Sequence, residues 1–266
     1  MTPARKNSIV IIPVRYDSSR LPGKPLAKIG QKPMIQWVVE RTMRASLITR
    51  VIVATDDERI QSCVEDFGGD VVMTPRGIPS GTDRVAFVAS NLDVDIVVNV
   101  QGDEPFIEPD EVDQTVRILL DDDHAGMGTL VKKITDVEEL RNPHIVKVVV
   151  DEQMHALYFS RGVVPFTGDT NILTALCQEN TFYKHVGIYS YRKDFLRRLS
   201  RWGPSKLEKI EKLEQLRVLE KGYRIKVAET AFEAIGVDTK EDLQRARRIA
   251  EEKYSPVEKG VDCAEE

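Results

Sequence analysis

The sequence predicts an α/β fold built on a mostly parallel central sheet, and three features carry that prediction. Short apolar runs bounded by turn residues recur through residues 9–100, and amphipathic stretches of helical period lie between them. Beyond residue 127 the runs come closer together with little helix between. The first two features are the βαβα rhythm of a sheet covered on both faces, and the third predicts antiparallel pairing. At 266 residues the chain can bury a substantial core, in one large domain or two small ones. Residues 1–254 are read as one domain, with a changed rhythm over about 128–200 and a loose tail at 255–266.

The first strand is the apolar run 9–14, and a helix is expected from about Pro33, whose missing N–H suits a first helical turn. A strand over 51–54 and a helix over about 58–67 follow, then a strand over 70–73 and a helix after Ser80-Gly81-Thr82. The run 95–100 reads as a strand, and a helix follows from Pro109. Strands are then expected over 128–133, 146–150, 155–159 and 186–191, with residues 151–154 as a hairpin turn. "KLEKIEKLEQLRVLEKG" has the apolar spacing of one amphipathic helix ending near Gly222. "RIKVAET" reads as a strand, and in the last helix Thr239 and Asp242 have N-cap and N3 spacing.

Composition excludes several classes. With 38 Lys and Arg against 43 Asp and Glu, net charge −5, the chain is not a general nucleic-acid binder, although a local basic pocket can still take an anion. Its apolar runs fall short of the roughly 20 residues of a membrane span, so no membrane insertion is expected. The apolar segment after MTPARKNS is short, contains Pro13 and ends at Arg15, so it is not read as a signal peptide. Cys63, Cys177 and Cys263 are far apart and lack metal-ligand spacing, which predicts a reducing cytoplasm without disulfides or zinc.

Ligands of parallel sheets bind beyond the carboxyl ends of the strands. "IIPVRYDSSRLPGKPL" places Arg15, Arg20 and Lys24 there, and with the backbone N–H groups of the Ser18-Ser19 turn they can hold a polyphosphate. A solvated basic loop is the plain alternative. No GxGxxG follows a strand, and Gly23-Lys24 is followed by Pro25, so a dinucleotide dehydrogenase and a P-loop ATPase are disfavoured. In "VVNVQGDEPFI", Asp103 ends a buried strand, where it can ligate Mg²⁺ on nucleotide phosphates or simply make a turn. Asp238 in "AIGVDTKEDL" reads as a capping or turn residue unless it pairs in space with Asp103. Arg161 can bind a carboxylate in bidentate fashion, and Lys184, His185, Tyr189 and Tyr191 lie around another strand, where packing is the plainer role. The Ser80 loop suits a nucleoside contact and an N-cap equally.

Taken together, "IIPVRYDSSRLPGKPL", "SGTDR", "VNVQGDEP", "VKVVVD…ALYFSR", "HVGIYSYR", "LEKIEKLEQLR" and "GVDTKEDL" resemble, in that order across residues 9–247, the 3-deoxy-manno-octulosonate (Kdo) cytidylyltransferases. The resemblance implies a Rossmann-like nucleotide-diphospho-sugar transferase fold with an inserted antiparallel region for sugar binding and dimerisation. It also implies transfer of CMP from CTP to Kdo, with Mg²⁺, by a cytoplasmic homodimer serving lipopolysaccharide synthesis. Carried over to this sequence, Arg15 and Lys24 match the triphosphate-binding cations, and Asp103 and Asp238 the magnesium ligands. Ser18, Ser80, Gly81, Thr82 and Gln101 border the nucleotide; Arg161, His185, Tyr189, Glu214 and Gln215 match sugar-binding positions.

The sequence departs from the family pattern at Met154-His155, where a turn Gly is usual, at Lys240, where Pro is common, and over 168–181. These departures leave the sugar open between Kdo and its 8-amino analogue. A metal-dependent glycosyltransferase would show Asp-x-Asp, whereas Asp103 precedes Glu104-Pro105. A non-catalytic nucleotide-sugar sensor is the alternative from another class, and CTP-dependent pyrophosphate release separates the two. No His lies in the nucleotide motifs, so no strong general base is expected there.

Overall fold

A computed structural model describes residues 6–17, 20–167, 172–179 and 181–254. The expected loose tail, Ser18, and residues 168–171 and 180 of the unaligned segment lie outside that description. In the interior of the sheet runs β1 (Ser8–Pro13), whose alternate side chains enter opposite layers. Ile9 and Ile11 join one core, Val10 and Ile12 the other. Each such side chain, wholly removed from water, contributes on the order of 1.5–3 kcal/mol, which is why this run becomes a central strand.

Helices cover both faces. On one side lie α1 (Met34–Thr42), α2 (Glu58–Asp66) and α4 (Pro109–Asp121), giving Ile35 and Val38, Ile60 and Val64, and Val112 and Val116 to the Val10 layer. On the other, α3 (Gly81–Ser90) gives Val85 and Val88 to the Ile11 layer. Pro33 sits one place earlier than expected: it is the extended N-cap of α1 and closes the small ribbon of β2 (Lys28–Ile29) and β3 (Lys32–Pro33).

β4 (Arg50–Thr55) and β6 (Ile96–Asn99) flank β1 in parallel, and β5 (Asp70–Met73) extends the sheet beyond β4. On the β6 side the expected change of rhythm appears. β10 (Tyr183–Arg192) runs antiparallel to both β6 and β7 (Met127–Lys133), and β11 (Lys226–Glu229) closes that edge parallel to β7. The order is β11-β7-β10-β6-β1-β4-β5, with the hairpin of β8 (Lys147–Val150) and β9 (Ala156–Ser160) branching from β10 at Tyr183 and Lys184. In its turn Asp151 accepts from the N–H groups of Gln153 and His155, and Met154 has φ 59°, the left-handed backbone that a glycine takes more readily.

Three short helices, α5 (Val137–Arg141), α6 (Leu173–Gln178) and α7 (Lys193–Leu199), flank β10 in sequence, and α10 (Lys240–Tyr254) ends the described chain. Thr239 and Asp242 cap α10 reciprocally, each side chain accepting the other's backbone N–H. No helix among the described residues is long and apolar enough to cross a membrane.

The single helix expected near 207–222 is a pair, α8 (Lys206–Glu211) and α9 (Leu216–Glu220), broken at Lys212 with φ 59°. Long-range pairing is the physical reason. Arg217 forms a bidentate ion pair with Glu208, at 2.8 and 2.6 Å, and donates to the Trp202 carbonyl. Residues nine apart on an unbroken helix point about 180° away from each other and are roughly 13 Å apart along the axis, so the pair requires the break. It leaves Ile210 66% exposed while burying Leu213 and Leu216.

Arg84 anchors α3 from inside the protein: its guanidinium pairs with Asp56 at 2.9 Å and donates to the Thr74 hydroxyl. Both partners follow strands of the sheet. Arg84→Met is therefore expected to lower stability by roughly 3 kcal/mol, the usual cost of removing one partner of a buried pair; a thermal unfolding midpoint within a degree of wild type would refute this role.

Candidate active site

Beyond the ends of β1 and β6, three loops meet. The loop after β1 tightens at Gly23, where φ is 68° and the N–H donates to the Tyr16 carbonyl at 3.1 Å. A side chain there would press on the Tyr16 ring as well as strain the backbone. The loop after β6 rests so closely on the residue that follows β1 that a Cβ on Gly102 would come within 2.5 Å of the Val14 side chain. It is fastened to the third loop by a hydrogen bond from the Val237 N–H to the Asp103 carbonyl, 2.9 Å.

These constraints converge on Lys24. Its Nζ lies 2.6 Å from Asp103 Oδ2 and 2.9 Å from Asp238 Oδ1. Burial by itself pulls the ammonium's pKa down, but the Asp103 and Asp238 carboxylates outweigh it and hold the group above the ordinary lysine value. Arg20, on the same loop but without a family role carried over to it, reaches Asp238 at 3.2 Å and joins the site. Arg15 lines the same cavity of about 350 Å³ and donates to the Ile78 carbonyl, tying this loop to the segment ahead of α3.

Two carboxylate oxygens thus aim at one cationic point. Among the described residues no cluster of three His, Cys, Asp or Glu side chains is placed to hold a metal. Two carboxylates nevertheless fit Mg²⁺, which takes few protein oxygens and completes its shell with phosphates and water. Asp103 and Asp238 are the residues suited to hold it.

Gln101 lines this cavity and also a second one, of about 330 Å³. Gly81 and Thr82, which the resemblance places beside the nucleotide, line the second cavity together with His185, Tyr189, Glu214 and Gln215, which it places beside the sugar. Ser80 accepts from the Asp83 N–H as the N-cap of α3, so its capping role is realised at the edge of the site. Arg161 is the exception. Its guanidinium donates to the Glu211 and Pro143 carbonyls, both at 3.1 Å, and it does not line the cavity.

The second cavity is rich in neutral hydrogen-bonding groups. Thr129 gives its one hydroxyl proton to the Ile188 carbonyl at 2.7 Å, so it accepts from His185 Nε2 at 3.0 Å. That tautomer leaves Nδ1 as an acceptor. Burial pushes the imidazole down to about 3, and burial raises the Tyr189 and Tyr191 phenols, so all three stay uncharged at neutral pH. The buried oxygens Asn99 Oδ1 and Glu214 Oε1, both on cavity-lining residues, have no hydrogen-bond partner among the described residues.

Sequence reasoning gave no role to Asn99 or Glu104, and Tyr191, for which packing is the plainer sequence reading, lines the second cavity. Burial, then the Asp103 and Glu111 carboxylates, push Glu104 up to about 8. Its Oε1 lies 3.6 Å from where a side chain on Gly187 would begin, at the irregular register of β10. The only available signal was a second carboxylate beside Asp103.

A pH dependence follows from His185. An unfolded histidine takes up a proton below about 6.5, whereas the folded one stays neutral to about 3. Between these values the unfolded chain binds more protons, so this group's contribution is fully present above 6.5 and is lost as pH falls. His185→Gln is expected to flatten the acid side of the plot of melting temperature against pH; an unchanged slope would count against the assignment.

A parallel sheet with a cation-and-carboxylate loop cluster at its strand ends, opening onto a second polar cavity, defines a nucleotidyltransferase, and residues 9–227 match the family model described as Cytidylyltransferase. A protein of Geotalea uraniireducens named 3-deoxy-manno-octulosonate cytidylyltransferase is 53% identical over 88% of this chain and 95% of its own. One of the same name from Geobacter metallireducens is 52% identical over 88% and 94%. The solved structure of a CMP:2-keto-3-deoxy-manno-octonic acid synthetase complexed with CTP is 41% identical, covers 92% of this chain and 99% of its own, and superposes with a TM-score of 0.86. The chain belongs to the 3-deoxy-manno-octulosonate cytidylyltransferase family.

Proposed function

We propose that the protein transfers CMP from CTP to the anomeric hydroxyl of Kdo, releasing pyrophosphate. The observation that carries this reading is the pair of cavities meeting at Gln101, one built for a polyphosphate and the other for a polyhydroxylated ligand. The sugar hydroxyl gives up its proton to solvent as its oxygen bonds the α-phosphorus, and the bond from that phosphorus to the oxygen bridging it to the β-phosphate breaks. Lys24, Arg15 and Arg20 neutralise the triphosphate and the charge gathering on the departing pyrophosphate. Asp103 and Asp238 would hold Mg²⁺, which supplies further charge neutralisation when bound. Glu214, Asn99, Gln101 and the neutral His185 present acceptors and donors that fix the sugar's pose, and such orientation lowers the barrier of a two-substrate step.

The test is pyrophosphate release from CTP and Mg²⁺ with Kdo, 8-amino-Kdo and N-acetylneuraminate in parallel. Kdo should be turned over most efficiently; greater efficiency with the 8-amino sugar would reassign the substrate, and no release with any of them would leave the sensor reading. A cytoplasmic homodimer serving lipopolysaccharide synthesis belongs to the same proposal. Leu157, Phe166 and Ile172, exposed within the 155–200 region, support a dimer surface, and Phe166 is 87% exposed. A sedimentation mass equal to a single chain would exclude the dimer.

A further inference from the structure

The proposed sugar is an acid, and its carboxylate is ionised at neutral pH. A half-enclosed site that takes such a group needs a cation or a set of donors to offset its desolvation. Arg161, the obvious guanidinium, is spent on two backbone carbonyls outside the cavity. His185 is neutral, and Glu214 has no positive charge to offer. Among the described residues, Lys212 is the one lysine or arginine lining this cavity. It makes no ion pair among those residues, and its N–H donates to the Glu208 carbonyl at 2.8 Å.

The backbone of Lys212 is informative as well. It holds φ 59° at the break between α8 and α9, where glycine or asparagine would be less strained. A lysine kept in an unfavourable conformation at the lip of a binding cavity is the kind of outlier from which a functional role can be inferred. The break also delivers Leu213, Glu214 and Gln215 to the cavity wall directly after it. We propose that Lys212 is the cation that recognises the carboxylate of the sugar acid and so helps the enzyme select acidic over neutral sugars. This assignment rests on the proposed Kdo substrate.

A plain structural role is the competing explanation: a cation near the C-terminus of α8 favours the helix whatever the ligand. Lys212→Asn separates the two, because asparagine accepts left-handed backbone but brings no charge. With CTP saturating, Lys212→Asn is expected to raise KM for Kdo about tenfold, the size of a lost charge-assisted hydrogen bond. KM for CTP should stay within about twofold, and Lys212→Arg should restore most of the affinity for Kdo. An unchanged KM for Kdo in Lys212→Asn, or equal rises in both KM values without rescue by arginine, overturns the assignment. So does a rise confined to Arg161→Gln, which would give the carboxylate to Arg161. Wild-type protein that releases no pyrophosphate with Kdo instead overturns the proposed function, and this assignment with it.

Discussion

Lys24→Met is expected to lower kcat/KM for CTP by at least about a hundredfold, the scale typical of losing one preorganised electrostatic contact in an active site. Methionine keeps much of the length and the apolar stem, so the loss is chiefly one of charge. Lys24 Nζ is held by two carboxylates from loops that lie far apart in sequence, and its position is therefore set before any nucleotide arrives. On the proposed reading, a triphosphate entering this cavity exchanges its hydration for Lys24, Arg15 and Arg20, which line it. Without Lys24, Asp103 and Asp238 stand near the incoming phosphates with less to offset them. Pyrophosphate release by the variant, alongside a melting curve confirming that it is folded, is the measurement. Turnover within fivefold of wild type would remove Lys24 from the machinery.

The parallel half of the sheet was legible because runs such as IVII and VIVA can bury both faces, and the turn residues after them mark where the sheet stops. The changed rhythm after Met127 was legible for the same reason, although it did not reveal that β10 would insert between β6 and β7. The break at Lys212 was not legible. Every residue of KLEKIEKLEQLR tolerates a helix, and the pairing of Arg217 with Glu208 and the Trp202 carbonyl overrides that preference from outside the window.

The candidate site divides in the same way. Arg15, Lys24 and Asp103 stand at strand ends, where position alone gives them chemical meaning. Asp238 acquires its role only by meeting Lys24, 214 positions away in sequence, and Arg20 acquires one only by meeting Asp238. Residue type suggested that Arg161 could grip a carboxylate; tertiary structure decides what it touches, and it touches carbonyls.

Asp103→Asn tests the two readings that the sequence left open for that position. If Asp103 only shapes the turn after β6, asparagine should serve nearly as well, because the two residues favour turns for the same reason. If its charge is needed to hold Mg²⁺ beside the triphosphate, the substitution removes that charge while keeping the shape and one oxygen acceptor. The expected result is a fall in kcat of at least about a hundredfold, of the order seen when electrostatic stabilisation of a transition state is lost, together with a higher Mg²⁺ concentration for half-maximal rate. Stability should change little. The backbone bond from Val237 to the Asp103 carbonyl does not involve the side chain, and Lys24 retains Asp238 as a partner. Near-wild-type turnover with an unaltered Mg²⁺ dependence would make Asp103 a turn residue and leave the metal to be held elsewhere.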